Sequence, residues 1–385
     1  MDRWTGSGSS TSTTSGLAGR EAAAAALDAR EDARLLIVFA SDAHDLPALL
    51  AGIRAVSGEV PLVGCTTAGE IAEGGPGDSS VVVMALGGDF SVATSACRVE
   101  PDGLRIAGST VAESASLVAD RPHRALLLLS DGLAGDQEEL VRGAYEVLGA
   151  GVPLVGGCAG DDLRMTKTAQ FLDGQVLEGS VVAAALGSDA PLGIGVSHGW
   201  RRVGEPMMVT GSAGNRVLTL DDSPALDVYL TRLGAPPEAW TDPAAFTQFA
   251  LTHPLGLSRR RGEEVRFVAE ADFSDRSLGC VARVPRGGLT WFMEGDDASV
   301  MQATDDACAE ALAPLEGRPP IGMLAFDCIA RRGVLQELGL CREVARIAQH
   351  AGDAPVAGFY TYGEIARTSG TGGFHNQTLV VLALG

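Results

Sequence analysis

Two glutamates, each closing a glycine turn, are the residues of this chain best placed to do chemistry. Glu70 ends Val63-Gly64-Cys65-Thr66-Thr67-Ala68-Gly69-Glu70, and Glu364 ends Gly358-Phe359-Tyr360-Thr361-Tyr362-Gly363-Glu364. Each turn gathers a carboxylate, small hydroxyl or thiol side chains and glycine backbone. A carboxylate held there can accept hydrogen bonds from an ammonium group, and such charge-assisted bonds are the strong ones. Glycine-rich backbone can in parallel hold a ligand carboxylate through its N–H groups. With the hydroxyls of Thr66 and Thr67 alongside, that is equipment for an amino acid. The same carboxylates can instead cap their own turns by accepting local N–H groups, and the sequence leaves both uses open.

Other candidates surround these turns. Tyr360 and Tyr362 alternate about Thr361, which on a strand sets both rings on one face, toward a pocket or toward the core. His375-Asn376 follow Gly370-Thr371-Gly372-Gly373 at the entrance to a last strand. They either bind a polar ligand or lock the loop. In the first case Glu364, His375 and Asn376 meet at one site, with the glycine stretch as a movable rim. His198, after Gly193-Ile194-Gly195-Val196, is a core histidine or a pocket contact.

Cys65 is a candidate nucleophile. A catalytic thiol needs a positioned base and a lowered pKa, which His375 or His198 would have to provide. The turn lacks the second glycine of a nucleophile elbow, and the other repeat copies carry Gly157 and Phe359 at that place. A thiol-dependent hydrolase or transferase is thus the alternative reading, and no catalytic residue is expected. Six scattered histidines and the lack of an acidic calcium loop predict no metal site. Gly156-Gly157-Cys158-Ala159-Gly160 has no lysine to close a phosphate loop. No cofactor is expected.

These residues sit in an internal repeat. The turns at Pro61 and Pro355 are echoed by Pro153-Leu154-Val155-Gly156-Gly157-Cys158-Ala159-Gly160-Asp161. Upstream of each lies a short apolar run (Leu35–Phe39, Leu126–Leu129, Ile321–Phe326) that reads as a buried strand. Between run and turn, apolar residues follow helical spacing, as in Leu46, Leu49, Leu50 and Ile53. Asp45 and Asp136 are expected N-caps, the latter with Glu139 at capping-box distance. Gly58, Gly151 and Gly352 are expected to end the helices. Downstream come Val81–Leu86, Val181–Leu186 and Leu379–Leu384. The pattern predicts an α/β fold of mixed sheets, built from repeated strand-helix-strand-turn-strand units.

A length of 385 residues suits two domains. The formal charge of −20 argues against nucleic acid and anionic membranes as partners, and Arg259-Arg260-Arg261 reads as a solvated loop beside Glu263 and Glu264. Residues 1–30 read as a flexible Ser/Thr/Gly tail and a short alanine-rich helix. No apolar stretch reaches membrane-span length. Seven cysteines without a C-x-x-C pair predict a reduced, cytoplasmic protein.

The combination of Val63–Ile71, Gly195-Val196-Ser197-His198-Gly199-Trp200, Gly358–Ile365 and Phe374-His375-Asn376-Gln377-Thr378 resembles the FIST family. That resemblance implies an N-terminal FIST domain over 31–222 and a C-terminal one over 223–385. It also implies a sensory module for a small ligand, of amino-acid type, acting in signal transduction. With no kinase, cyclase, methyl-accepting or F-box segment expected in the remainder, the output falls to a separate partner protein. A protein-interaction scaffold without ligand is the further alternative. Repeats one and three are expected to line one pocket across the domain interface.

Overall fold

The computed structural model describes residues 2–259, 262–368 and 372–385. Three units, each of eight elements in the same order, follow one another along the chain. The first comprises β1 (Trp4–Ser10), α1 (Ser15–Leu27), β2 (Ala33–Ala40), α2 (Leu46–Ser57), β3 (Leu62–Thr66), the hairpin β4 (Glu70–Ala72) and β5 (Gly75–Gly77), and β6 (Val81–Gly87). The second repeats this as β7 (Ser91–Arg98), α3 (Leu104–Ala112), β8 (His123–Ser130), α4 (Gln137–Leu148), β9 (Leu154–Cys158), β10 (Gln170–Leu172), β11 (Gln175–Leu177) and β12 (Ser180–Ser188).

The third unit opens with β13 (Leu192–Ser197) and is then interrupted by an insertion. That insertion holds β14 (Arg201–Ala213), β15 (Arg216–Leu220), β16 (Ser223–Pro224), α5 (Ala225–Arg232), α6 (Pro243–Ala250), β17 (Leu255–Arg259), β18 (Gly262–Arg266), β19 (Val268–Asp272), β20 (Ser277–Cys280) and β21 (Leu289–Glu294). The unit resumes with α7 (Asp297–Leu312), β22 (Gly322–Cys328), α8 (Ile329–Ala351), β23 (Val356–Thr361), β24 (Glu364–Arg367), β25 (Phe374–His375) and β26 (Leu379–Leu384). The predicted class is therefore the observed one: mixed α/β sheets made of repeated units.

The hairpins are exchanged between units. The three sheets run β1-β6-β2-β3-β10-β11, β7-β12-β8-β9-β24-β25 and β13-β26-β22-β23-β4-β5. Each unit supplies four strands to its own sheet and its hairpin to another's. Crossover helices make β2–β3, β8–β9 and β22–β23 parallel, and the return strands pair antiparallel. At the centre the turns close a ring of backbone bonds: Ala68 N–H donates to Tyr360 O (3.0 Å), Tyr362 N–H to Cys158 O (3.1 Å) and Gly160 N–H to Thr66 O (3.0 Å). Inner faces of the three sheets share one apolar core, where Phe39, Phe326 and Phe359 meet with ring centres 4.7–6.2 Å apart.

Two expectations are corrected here. The Ser/Thr/Gly stretch near the N-terminus is an edge strand paired with β6 over seven residues, not a flexible tail. Its small residues serve packing, because α1 crosses so closely that a Cβ at Gly6 or Gly8 would collide with the carbonyls of Ala26 and Ala22. Ser95 of β7 instead donates to Val111 O at 3.0 Å, and Gly193 and Gly195 of β13 lie against the carbonyls of Ala311 and Ala307. The other correction concerns caps. Asp45 accepts from Ala48 N, but Asp136 accepts from Glu138 N rather than forming a capping box with Glu139. Gly149, not Gly151, ends α4, in a left-handed conformation (φ 59°) like Gly58 and Gly352.

Candidate functional site

Glu70 and Glu364 occupy matching places, each opening an exchanged hairpin, and both are fully buried. Glu70 accepts from the Thr67 hydroxyl, from Ser80 N–H (3.1 Å) and from Ser80 Oγ (2.5 Å). Glu364 accepts from Thr361 Oγ1 (2.5 Å), Thr378 N–H (3.2 Å) and Thr378 Oγ1 (2.8 Å). Each carboxylate thus ties the motif turn to the start of the return strand, and the capping alternative accounts for both. Burial pushes each up to about 7, against the pull of those hydroxyls. The second unit's counterpart is Gln170, not Asp161, because the segment from Asp161 to Ala169 intervenes before the hairpin. Gln170 Oε1 accepts from Ser180 N–H (3.2 Å), just as the glutamates accept from Ser80 and Thr378.

The remaining sequence candidates divide. Thr66 accepts from Ala169 N–H (3.0 Å), and Thr67 accepts from Gly69 N–H (3.3 Å), so both are turn architecture. His198 accepts from Trp200 N–H (2.9 Å) through Nδ1, with its pKa lowered to about 4 by burial. Glu364 and His375 do pair across the β24–β25 hairpin, but their side chains part. The His375 ring donates from Nε2 to Ala366 O (2.9 Å), and Asn376 donates to its neighbour His375 O (2.9 Å). Gly370 and Thr371 of the proposed rim, like Arg260 and Arg261, lie outside the described residues. The tyrosines do not share a face, because β23 ends at Thr361 between them. Tyr362 Oη accepts from Leu163 N–H (2.7 Å) and Asp161 N–H (3.2 Å) and donates to the Asp161 carboxylate. Burial alone would raise Asp161, but Tyr362 and the amides of Lys167, Thr166 and Met165 outweigh it and bring it to about 2.

Cys65 lies in the central core, fully buried. Burial pushes its thiol well up, and Cys158 and Glu70 add to that. A thiol held protonated in apolar surroundings is inert rather than nucleophilic.

A cavity of about 760 Å³ opens elsewhere, at the head of α8. Ala68 of the first turn and Asp162 and Leu163 of the second unit's loop form one wall. Leu251 and Phe267 of the insertion and Ile329, Arg332, Gln336 and Leu340 of α8 line it too, and Asp78 and Glu337 add charge. The site thus lies beside the carboxyl ends of β22 and β23, the edge where open α/β sheets hold ligands. Its walls combine apolar surface with charges of both signs. Arg332 donates to Ala68 O (3.0 Å), pairs with Asp78 (2.6 Å) and stacks over the Tyr360 ring at 5.2 Å. Asp162 is raised by burial and by Asp42 and Asp78.

Two wall segments are strained. Gln336 breaks α8 with φ 53°, ψ 178°, and Asp162, Leu163 and Met165 all carry positive φ (53–61°). Such backbone costs of order 1–3 kcal/mol per residue and persists where surroundings enforce it, commonly at ligand sites. Behind Arg332, Arg331 is fully buried, donating to Asp327 (2.6 Å), Thr304 (3.1 Å) and Glu343. The repeat motifs hold none of these charged residues. A signal existed, since Glu343 interrupts the apolar stripe of Leu340, Val344 and Ile347, and Asp327 ends an apolar strand. Among the described residues no three His, Cys, Asp or Glu side chains are grouped to hold a metal, and no helix is long and apolar enough to cross a membrane.

Comparison with known proteins adds the family. The FIST N domain model matches residues 34–223 and the FIST C domain model 225–367, so the cavity draws its walls from both matched regions. An uncharacterized protein of Mycobacterium tuberculosis (strain ATCC 25618 / H37Rv) is 27% identical over 379 residues, covering 93% of this chain and 94% of its own. One from Mycobacterium bovis is 27% identical over 232 residues, 59% of each chain. A chorismatase crystal structure aligns over 100% of this chain and 98% of its own at 12% identity, with a TM-score of 0.38.

Proposed function

Since this chain belongs to the FIST family, whose domains are sensory modules for small ligands, we propose that its ligand occupies the cavity at the head of α8. The observation that carries this reading is the coincidence of that cavity with the strained backbone at Gln336 and at Asp162–Met165. A ligand bridging those segments would couple the second unit's loop to α8, and movement of either is a signal a separate partner protein can read. Apolar walls that also carry Arg332, Asp78, Asp162 and Glu337 suit a small zwitterion of amino-acid type. The seven free cysteines suit a reducing, cytoplasmic setting.

A thermal-shift screen against the amino acids, followed by calorimetric titration, tests the reading. Gly333→Phe is the blocking variant: a Cβ at Gly333 meets Leu251 at an ordinary 3.4 Å, so the ring extends into the cavity without backbone strain. The expected outcome is a hit that stabilises the natural chain and is lost in Gly333→Phe. A hit that binds both forms equally removes the cavity from the account.

A further inference from the structure

Strand pairing gives each of the three units an equivalent position at the end of its central strand. These are Ala40 opposite Thr66, Ser130 opposite Cys158, and Asp327 opposite Tyr360. The first two pairs are uncharged, and Ser130 is satisfied by Gln137 at 2.8 Å. In the third unit the place holds a buried charged cluster. Arg331 reaches both Asp327 and Glu343, and all three are at most 1% exposed. Two carboxylates face one guanidinium, so the cluster is one positive charge short. Apart from the contact between the Asp327 and Glu343 carboxyl groups, Asp327 Oδ2, Glu343 Oε2, Arg331 Nη1 and Tyr360 Oη find no hydrogen-bond partner among the described residues. Buried polar atoms left open in this number call for an occupant.

We propose that Asp327 and Glu343, held by Arg331, form the seat for a single positive charge on the ligand, an ammonium or amidinium group, which replaces a proton carried there when the seat is empty. The proposal rests on the cavity reading. Ala330 and Arg332, the chain neighbours of Arg331, line the cavity, and Arg332 lies over the Tyr360 ring. Arg331 thus sits between two wall residues on the α8 segment that ends at the Gln336 break, with Asp327 before it on β22 and Glu343 beyond the break on α8. Two carboxylates bond to each other only when one carries a proton. Burial and Glu343 keep Asp327 protonated well above the usual carboxylate range, against the pull of Arg331. Glu364 from β24 raises it further, Cys308 from α7 faces Glu343 and Arg331, Cys328 and Tyr360 face Asp327, and His198, which follows β13, faces Arg331. Entry of a cation releases that proton, so apparent affinity rises with pH.

Ethylammonium chloride and sodium propionate serve as opposed probes in thermal-shift and calorimetric titrations of the full chain. Ethylammonium is expected to raise the melting temperature more at pH 8 than at pH 5.5, with one proton released per cation bound and no shift from propionate. Asp327→Asn and Glu343→Gln keep volume and remove the excess charge, so they fold, and each should weaken the cation about ten- to a hundredfold. No ethylammonium shift at pH 8, an equal shift with propionate, or unchanged binding in both variants overturns the proposal. If a screened ligand is blocked by Gly333→Phe yet binds Asp327→Asn unchanged, the cavity reading stands and the charged seat fails.

Discussion

Glu70 and Glu364 differ from Asp327 and Glu343 in what surrounds them, although all four are buried carboxylates, three at strand ends and Glu343 on α8. The first pair is met by hydroxyls and a backbone amide from its own turn and the adjoining return strand. The second pair meets a single arginine and, at Glu343, the Thr304 hydroxyl, and one oxygen of each side chain has no donor beyond the other carboxyl group. In the second unit Gln170 stands where the others have glutamate, so that position requires a hydrogen-bonding group rather than a charge. Saturated partners mark architecture. Open ones mark a place where something else binds.

The sharpest way to break this contrast is to remove the arginine. Arg331→Met should cost about 3–5 kcal/mol, because it leaves a buried negative charge uncompensated; urea denaturation measures this. A loss below about 1 kcal/mol means the cluster is hydrated and no different from the hairpin pair.

The hairpin glutamates make a pH-dependent prediction of smaller size. Their pKa is raised in the fold to about 7 from 4.5. The folded state therefore binds more protons than the unfolded chain, and stability present below about pH 4.5 is lost as pH rises through about 7. Glu70→Gln with Glu364→Gln, copying Gln170, removes that loss. Against the natural chain, the double variant should gain on the order of 1–3 kcal/mol at pH 8 and little at pH 5. Equal effects at both pH values would show that the carboxylates are ionised throughout.

Tyr362→Phe tests the link between the turn and the cavity. Losing the hydroxyl that binds Asp161 and Leu163 should cost about 1.5–3 kcal/mol and raise amide exchange in 161–168, read by hydrogen-exchange mass spectrometry. Unchanged exchange there would separate the third turn from the cavity wall. The smallest effect belongs to Cys65→Ser or Cys65→Ala. A buried small side chain of this kind costs about 1 kcal/mol, and ligand binding should stay within a few-fold. Abolished function with the fold intact would restore a thiol reaction.

The three-unit pattern was legible because buried strands and helix stripes leave apolar periodicities that survive in one sequence. The hairpin exchange was not, since pairing partners far apart in sequence leave no local trace. Repeat matching found the turns but left capping and binding undivided, because a cap and a ligand contact demand the same residue types at Glu70 and Glu364. It also aligned Asp161 with them, where an intervening loop defers the true counterpart to Gln170. The cavity escaped notice because Arg332, Leu163 and Phe267 come from a helix start, a loop and the link between two inserted strands, which only the fold brings together.

The exchanged hairpins give each unit one strand pair to hand on and one exposed sheet edge to receive another. Such a head-to-tail exchange closes after three steps, because the third unit's sheet receives the first unit's hairpin. The chain is in effect a trimer whose subunits have been joined end to end. Joining has freed each copy from having to match the others. A symmetric trimer would place any buried charge at all three junctions at once. Here Asp327 and Arg331 stand at one junction, with Ala40 and Ser130 at the corresponding points of the other two.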